Sequence, residues 1–202
     1  MFKNILRESA MPYSQEHKQK SRAKILASAA RLFAGKGYDN VGIDEVMADA
    51  GMTRGAFYAH FGSKNELYTK AVLSAATKSR IARHFHDREN DLEALEQMLD
   101  GYLSHAHVQQ KTAPCPLAFL ASDVANRDKS VRSAYTKVCK GLSKTVEKLL
   151  EDESNETAKE KALAITTLMV GGVAIGRALN DRKSADTLLD ACRKTAMSLA
   201  VS

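Results

Sequence analysis

Residues 42 to 64, GIDEVMADAGMTRGAFYAHFGSK, constrain the fold more than any other stretch, because they read as two short helices joined by a glycine turn. Ile43, Val46, Met47 and Ala50 fall at helical spacing on one apolar face of the first, from about Ile43 to Ala50. Gly42 stands at its N-cap, and Asp44 and Glu45 suit the positive end of the helix dipole. Gly51 takes the place where a helix ends in a left-handed residue, and Met52 turns back toward the core. Thr53 caps a second helix from Arg54 to about His60, which Phe57 and Phe61 anchor inward while Arg54, Gly55 and Tyr58 stay outside. Such a helix, with an arginine and small residues at its start, fits a DNA major groove, where its first residues reach base edges.

The rest of the chain also reads as helix: its prolines are confined to positions 12, 114 and 116, and no run alternates as a strand would. The spacing predicts a first helix over Gln15 to Gly35, with Ile25, Ala29, Leu32 and Phe33 inward. Ser63 and Glu66 form a capping box that starts a fourth helix running past Leu67, Val72 and Ile81 toward His86, about 36 Å at 1.5 Å per residue. Further helices are expected over Leu92 to Gln109, Leu117 to Asn126, Lys129 to Glu151, Ala158 to Leu179 and Ser184 to Ala200, with a break at residues 112–116. The fold class is all-α.

The net charge of +6 is uneven: residues 1–70 carry 11 Lys and Arg against 7 Asp and Glu, and the remainder 19 against 17. The excess sits where phosphate binding would want it. Met1 to Ser14 have no apolar core with a cleavage site, so a cytoplasmic location is expected. The longest uncharged stretch, Ala162 to Gly176, falls short of the about 20 residues a membrane span needs and reads as a buried helix. Three widely spaced cysteines, Cys115, Cys139 and Cys192, suggest neither a disulfide framework nor a zinc site.

The run from Ala50 to Leu67, AGMTRGAFYAHFGSKNEL, resembles the DNA-binding domain of TetR-family transcriptional regulators, and Ile25 to Tyr38, ILASAARLFAGKGY, resembles the end of that family's first helix. The resemblance covers about residues 18–70, while the remainder matches the family in length and helical character. It implies an N-terminal three-helix helix-turn-helix domain over 14–62, preceded by a flexible tail over 1–13, and a helical effector-binding and dimerisation domain over 63–202. Arg54 is assigned to base readout, with its fork on guanine O6 and N7. Thr53 would bond a phosphate or base, Gly55 would allow close approach, and Tyr58, His60 and Lys64 match positions that contact phosphates. Gly42 stands where many relatives have a DNA-touching Thr, so only its backbone N–H is on offer.

By the same resemblance, the last two helices form a four-helix interface between two subunits, with Leu168, Gly172, Ile175, Gly176 and Leu188 in the homodimer contact. A two-fold dimer suits a palindromic double-stranded operator. Its function would be repression, relieved when a small molecule moves the readers out of register. Met98, Tyr102, His105, Phe119, Asp123, Tyr135 and Val138 are the candidate pocket, and their Met, Tyr and Phe content favours an apolar or aromatic effector. Plain core packing also explains each of them.

Cys115, between Pro114 and Pro116 ahead of a helix, offers an alternative: a helix N-terminus can lower a thiol pKa, which would make a redox or electrophile sensor. A small apolar filler is the simpler role. A non-specific DNA-binding protein is a further alternative. No glycine-rich phosphate loop or metal signature occurs, so no cofactor, no metal and no enzymatic activity are expected.

Overall fold

The polar residues that bracket each apolar stretch set where the helices begin and end. A computed structural model of the chain describes residues 15–77, 79, 84, 85, 87–109, 115–150 and 155–202, with the Asn155 side chain excepted, and among these residues there is no strand. Among the described residues the chain forms the helices α1 (Gln15–Lys36), α2 (Ile43–Asp49), α3 (Arg54–Phe57), α4 (Lys64–Thr77), α5 (Leu92–Tyr102), α6 (His105–Val108), α7 (Pro116–Ala125), α8 (Lys129–Leu149), α9 (Asn155–Ala178) and α10 (Arg182–Val201). The expected tail over 1–13, and Ile81 and His86 toward which α4 was read to continue, lie outside the described residues.

Aspartate caps begin three helices. Asp91 accepts from Ala94 N, Asp128 from Ser130 N and Val131 N, and Asp181 from Ser184 N, each at 2.8–3.1 Å. Such a cap satisfies N–H groups that have no partner within the helix. Pro116 opens α7 at a position where its missing N–H costs nothing.

The helix expected over Leu92 to Gln109 is broken in two. Leu103 N still bonds Leu99 O at 2.8 Å, but Ser104 is extended and starts a new turn by accepting from His107 N at 3.2 Å. α3 also ends earlier than expected: its regular part stops at Phe57, and residues 58–60 form a turn in which His60 N and Phe61 N both bond Phe57 O at 2.9 Å.

Two apolar cores result. The first joins Ile25, Ala29 and Phe33 of α1 to Val46, Met47, Phe57, Phe61, Leu67 and Tyr68, and runs on into Leu120, Val124 and Val131 of α7 and α8. The second is built from α5, α8, α9 and α10 around Leu95, Met98, Val146, Ile165, Met169 and Val173. α9 is long and apolar enough to cross a membrane by length and composition, yet Ala162, Ile165, Met169 and Val173 on its inner face are fully buried core. Leu163 and Ile175 on its other side are more than half exposed.

Gly172 and Gly176 do not share that outer side with Ile175. A Cβ on Gly172 would lie 2.9 Å from Leu103 Cδ2 and 3.1 Å from Cys192 Sγ, and one on Gly176 would lie 3.4 Å from Val108 Cγ2. Both glycines, expected between subunits, instead let α9 approach α5, α6 and α10 of its own chain. Leu168 of α9 and Leu188 of α10 are half-buried.

Candidate nucleic-acid interface

The turn between α2 and α3 follows from one backbone requirement. Gly51 has φ +71°, Gly51 N bonds Ala48 O at 3.0 Å and Met52 N bonds Met47 O at 2.8 Å. This pair of bonds closes a helix whose next residue is left-handed, a conformation that glycine adopts without a Cβ penalty. Met52 packs back against the first core, and Thr53, with extended backbone, starts α3. No N–H of α3 bonds the Thr53 side chain, and the first-turn bond is instead Ala56 N to Thr53 O at 3.1 Å. The hydroxyl is therefore not committed to capping.

Phe57 and Phe61 stack with centroids 5.8 Å apart and are buried, which holds α3 down and turns its opposite edge outward. On that edge Arg54 is 62% exposed and pairs with Asp44 of α2, Nη1 to Oδ2 2.7 Å. So exposed a pair is weak, and releasing it for a base edge costs little. A Cβ on Gly55 would meet no atom within 4 Å, so the surface of α3 is open at that point. Tyr58 is 62% exposed, edge-on to Phe57 at 5.2 Å. Gly42 is the extended N-cap of α2, with open space where a side chain would begin.

His60 behaves differently from the other polar residues here. Its Nδ1 is buried without a partner, and its pKa is lowered by burial first and then by the nearby charges of Lys18 and Arg22. Both effects favour the neutral imidazole over the imidazolium. Lys64 Nζ stands 4.2 Å above the Tyr38 ring, beside the start of α4. There Glu66 N bonds Ser63 Oγ at 3.1 Å, while the Glu66 carboxylate reaches Gly62 N at 2.8 Å, one residue before the donor a standard capping box uses.

Sequence reasoning missed Arg22 and Lys18, and it read Asp44 as a helix-start acid without its pairing to Arg54. Arg22 of α1 donates to His60 O at 2.9 Å, and its guanidinium lies 4.4 Å over the Phe61 ring. Its signal was spacing: Arg22 is three residues before Ile25, one turn away on the inward face.

The residues expected to form an effector pocket separate into several environments. Met98 and Tyr102 are buried in the second core, and Tyr102 Oη lies 3.1 Å from Cys115 Sγ. The Tyr135 hydroxyl donates to Leu117 O at 2.8 Å, and Val138 packs where the two cores meet. Asp123 faces α1 and α4: it accepts from the Tyr68 hydroxyl, from Tyr38 N at 3.3 Å and from Arg127 at 3.4 Å. His105 and Phe119 line an open cleft of about 920 Å³ between the end of α1 and the end of α9 with the start of α10.

Cys115 caps α7, but its thiol pKa is raised, not lowered. Burial outweighs the hydrogen bonds from Tyr102 and from Ala118 N and Leu117 N that favour the thiolate. The expected activation by the helix start is thus overridden, because desolvating a thiolate costs more than those bonds return. Among the described residues no group of three or more His, Cys, Asp or Glu is arranged to hold a metal ion.

Comparison with known proteins adds to this geometry. Residues 25–71 match the family model for bacterial regulatory proteins of the tetR family, and residues 92–193 match that for the C-terminal domain of LmrA/YxaF-like transcriptional regulators. The HTH-type transcriptional regulator LmrA of Bacillus subtilis (strain 168) is 25% identical over 160 residues, covering 77% of this chain and 85% of its own. The HTH-type transcriptional repressor BepR of Brucella suis biovar 1 is 27% identical over 184 residues, covering 86% and 87%. Among solved structures, a TetR transcriptional regulator from Chloroflexus aurantiacus superposes with a TM-score of 0.74 at 22% identity over 93% of this chain and 97% of its own. Escherichia coli NemR in its reduced form gives 0.73 at 16% over 88% and 95%.

Proposed function

The chain belongs to the TetR family of bacterial regulatory proteins and is a DNA-binding transcriptional regulator; from that premise we propose that it represses transcription by binding a palindromic operator as a homodimer and is released by a small-molecule effector. The observation that carries the reading is the outward edge of α3. There an uncapped Thr53 hydroxyl, a weakly held Arg54 and a Gly55 with open space beyond it lie together. Arg54 reads a guanine; Thr53, Tyr58, Lys64 and the neutral His60 serve the phosphates, and Gly42 offers its backbone N–H. Residues 14–62 act as the reader and 63–202 carry dimer and effector contacts, in the cytoplasm with the DNA. BepR, a repressor by name, supports the sign of regulation.

The dimer reading rests on the outer side of α9, where Ile175 is 55% and Leu163 56% exposed, and on the half-buried Leu168 of α9 and Leu188 of α10. An apolar helix face of this kind is normally covered. Ile175→Glu is expected to shift the protein to monomer in sedimentation while leaving its helical circular dichroism unchanged.

The deciding experiment is an anisotropy titration against DNA from upstream of the gene and against random DNA at matched salt. Arg54→Ala is expected to lose about 1–3 kcal/mol of sequence preference while keeping salt-dependent phosphate binding. An unchanged preference would remove base readout from Arg54, and no preference in the wild type would favour a non-specific binder.

A further inference from the structure

The cleft of about 920 Å³ differs from the packed interior because both halves of the molecule line it. α1 supplies Arg31, Leu32, Gly35 and Lys36, and the other wall comes from Val108, Phe119 and the α9–α10 corner from Gly176 to Arg182. Its size is that of a small-molecule site, and its mix of apolar surface with a few polar groups is what such sites use.

The cations in it are not equivalent. Arg31 pairs with Asp49, Lys36 with Glu45, and Arg182 with Asp186 at 3.2 Å. Arg177 has no acidic partner among the described residues. Its guanidinium instead lies 3.4 Å from the centroid of the Phe119 ring. The acids at the start of α10 are engaged elsewhere: Asp181 caps Ser184 N, and Asp186 holds Arg182 with His105 Nδ1 3.2 Å away. Stacking on a ring occupies the face of a guanidinium and leaves its in-plane N–H fork for a carboxylate. Partial burial lowers the pKa of Arg177, while the residue as a whole stays exposed toward the cleft.

We infer that this cleft is a binding site for an organic acid with a flat apolar body, its carboxylate on the Arg177 fork and its body against Phe119, Val108 and Leu179. The acid pairs of Arg31, Lys36 and Arg182 are partly exposed and weak, so it is the ring-stacked Arg177, with no acidic partner among the described residues, that fixes where the carboxylate sits. The inference deepens the proposed effector reading and rests on it for its consequence: a ligand here touches α1 and α9 at once and so bears on how the reader sits. It differs from the residues expected from sequence, of which only His105 and Phe119 lie in the cleft.

The test uses 2-naphthoate, its neutral isostere 2-naphthamide and the cationic 2-naphthylmethylamine, titrated by calorimetry into the full-length protein without DNA. The acid is expected to bind saturably and at least tenfold more tightly than the amide, with the amine weakest. Arg177→Gln should abolish the difference between acid and amide, and Arg177→Lys, which keeps the charge but not the fork, should restore only part of it. Equal binding of acid and amide, no binding of either, or a preference that survives in Arg177→Gln would overturn the site. The same acid is then added to the protein on its upstream DNA. Arg177-dependent binding that leaves DNA affinity unchanged keeps the site and removes its role as effector site, whereas failure on DNA alone bears on the regulator reading.

Discussion

The N-terminal helices meet the rest of the molecule along two seams built in opposite ways. At the α7–α8 corner the seam is closed. Arg127 holds Asp39 with two hydrogen bonds of 3.1 and 2.6 Å, and its guanidinium lies 4.6 Å over the Tyr38 ring. Asn65 bonds Asp128 at 2.7 Å and Ser130 at 3.2 Å, and Asp123 gathers Tyr68, Tyr38 N and Arg127. At the far end of α1 the seam is open, with Arg31 and Lys36 facing Arg177 and Arg182 across the cleft. Directional bonds over an apolar floor fix one geometry, whereas a cleft lined by cations leaves the spacing to whatever fills it. The closed seam sets where the reader sits, and the open one is where a bound molecule can alter it.

The largest effect is expected from breaking the closed seam. Asp123→Ala leaves the buried Tyr68 hydroxyl without its acceptor and removes the partner of Tyr38 N, for a loss of about 1–3 kcal/mol in urea unfolding. Tyr68 cannot compensate by ionising, since burial, the largest cause of its raised pKa, remains when Asp123 is removed. A loss no greater than that of an exposed Asp→Ala change would show that the corner is ornamental to stability.

Two glycines in neighbouring turns sharpen the comparison. Gly37 ends α1 with φ +77°, its N–H on Phe33 O at 2.8 Å and the position of a Cβ 3.6 Å from Asp123 Oδ1. Gly37→Ala is expected to cost about 1–2 kcal/mol, the usual penalty of a left-handed non-glycine residue. Gly35, two residues earlier, faces open space and lies within the helix. Gly35→Ala is expected to gain about 0.5 kcal/mol from helix propensity alone. Thermal melts of the two variants should therefore move in opposite directions, and a shared direction would mean that the end of α1 is not held as described.

The two seams were unequally legible in sequence. The α2–turn–α3 unit was readable because its causes are local: Gly51, Thr53 and the Phe57/Phe61 spacing lie within a dozen residues. The break at Leu103 also had a local sign, Gly101 followed by Ser104, but apolar periodicity on both sides masked it. Asp123 was grouped with effector residues because it follows Phe119 and Leu120 on one helix, and nothing near it announces partners at Tyr38 and Tyr68. Gly172 and Gly176 were placed in the homodimer contact, but a small residue does not say which neighbour approaches it. Cys115 kept the helix-start position expected of it, while its burial depended on Tyr102 and the rest of a core assembled from distant segments.

The smallest expected effect concerns the link from the open seam back to α2. Asp49 is held by Arg31, which lines the cleft, and its pKa lies below the ordinary 3.8 because of the Arg31 hydrogen bond first and Ser28 next. A carboxyl with a lowered folded pKa contributes stability that is fully present above its unfolded value and is lost as pH falls through the folded one. Both side chains remain partly exposed, so solvent screening limits the contribution to about a few tenths of a kcal/mol. Urea unfolding of wild type and Asp49→Asn between about pH 6 and about pH 3 isolates it, because the other depressed carboxyls are common to both proteins. The two stabilities should differ above about pH 4 and converge below it. Curves that stay parallel would mean that Arg31 is not held by Asp49 and is itself a free cation in the cleft, in which case Arg177 would lose its distinction and a dianion would become the better ligand.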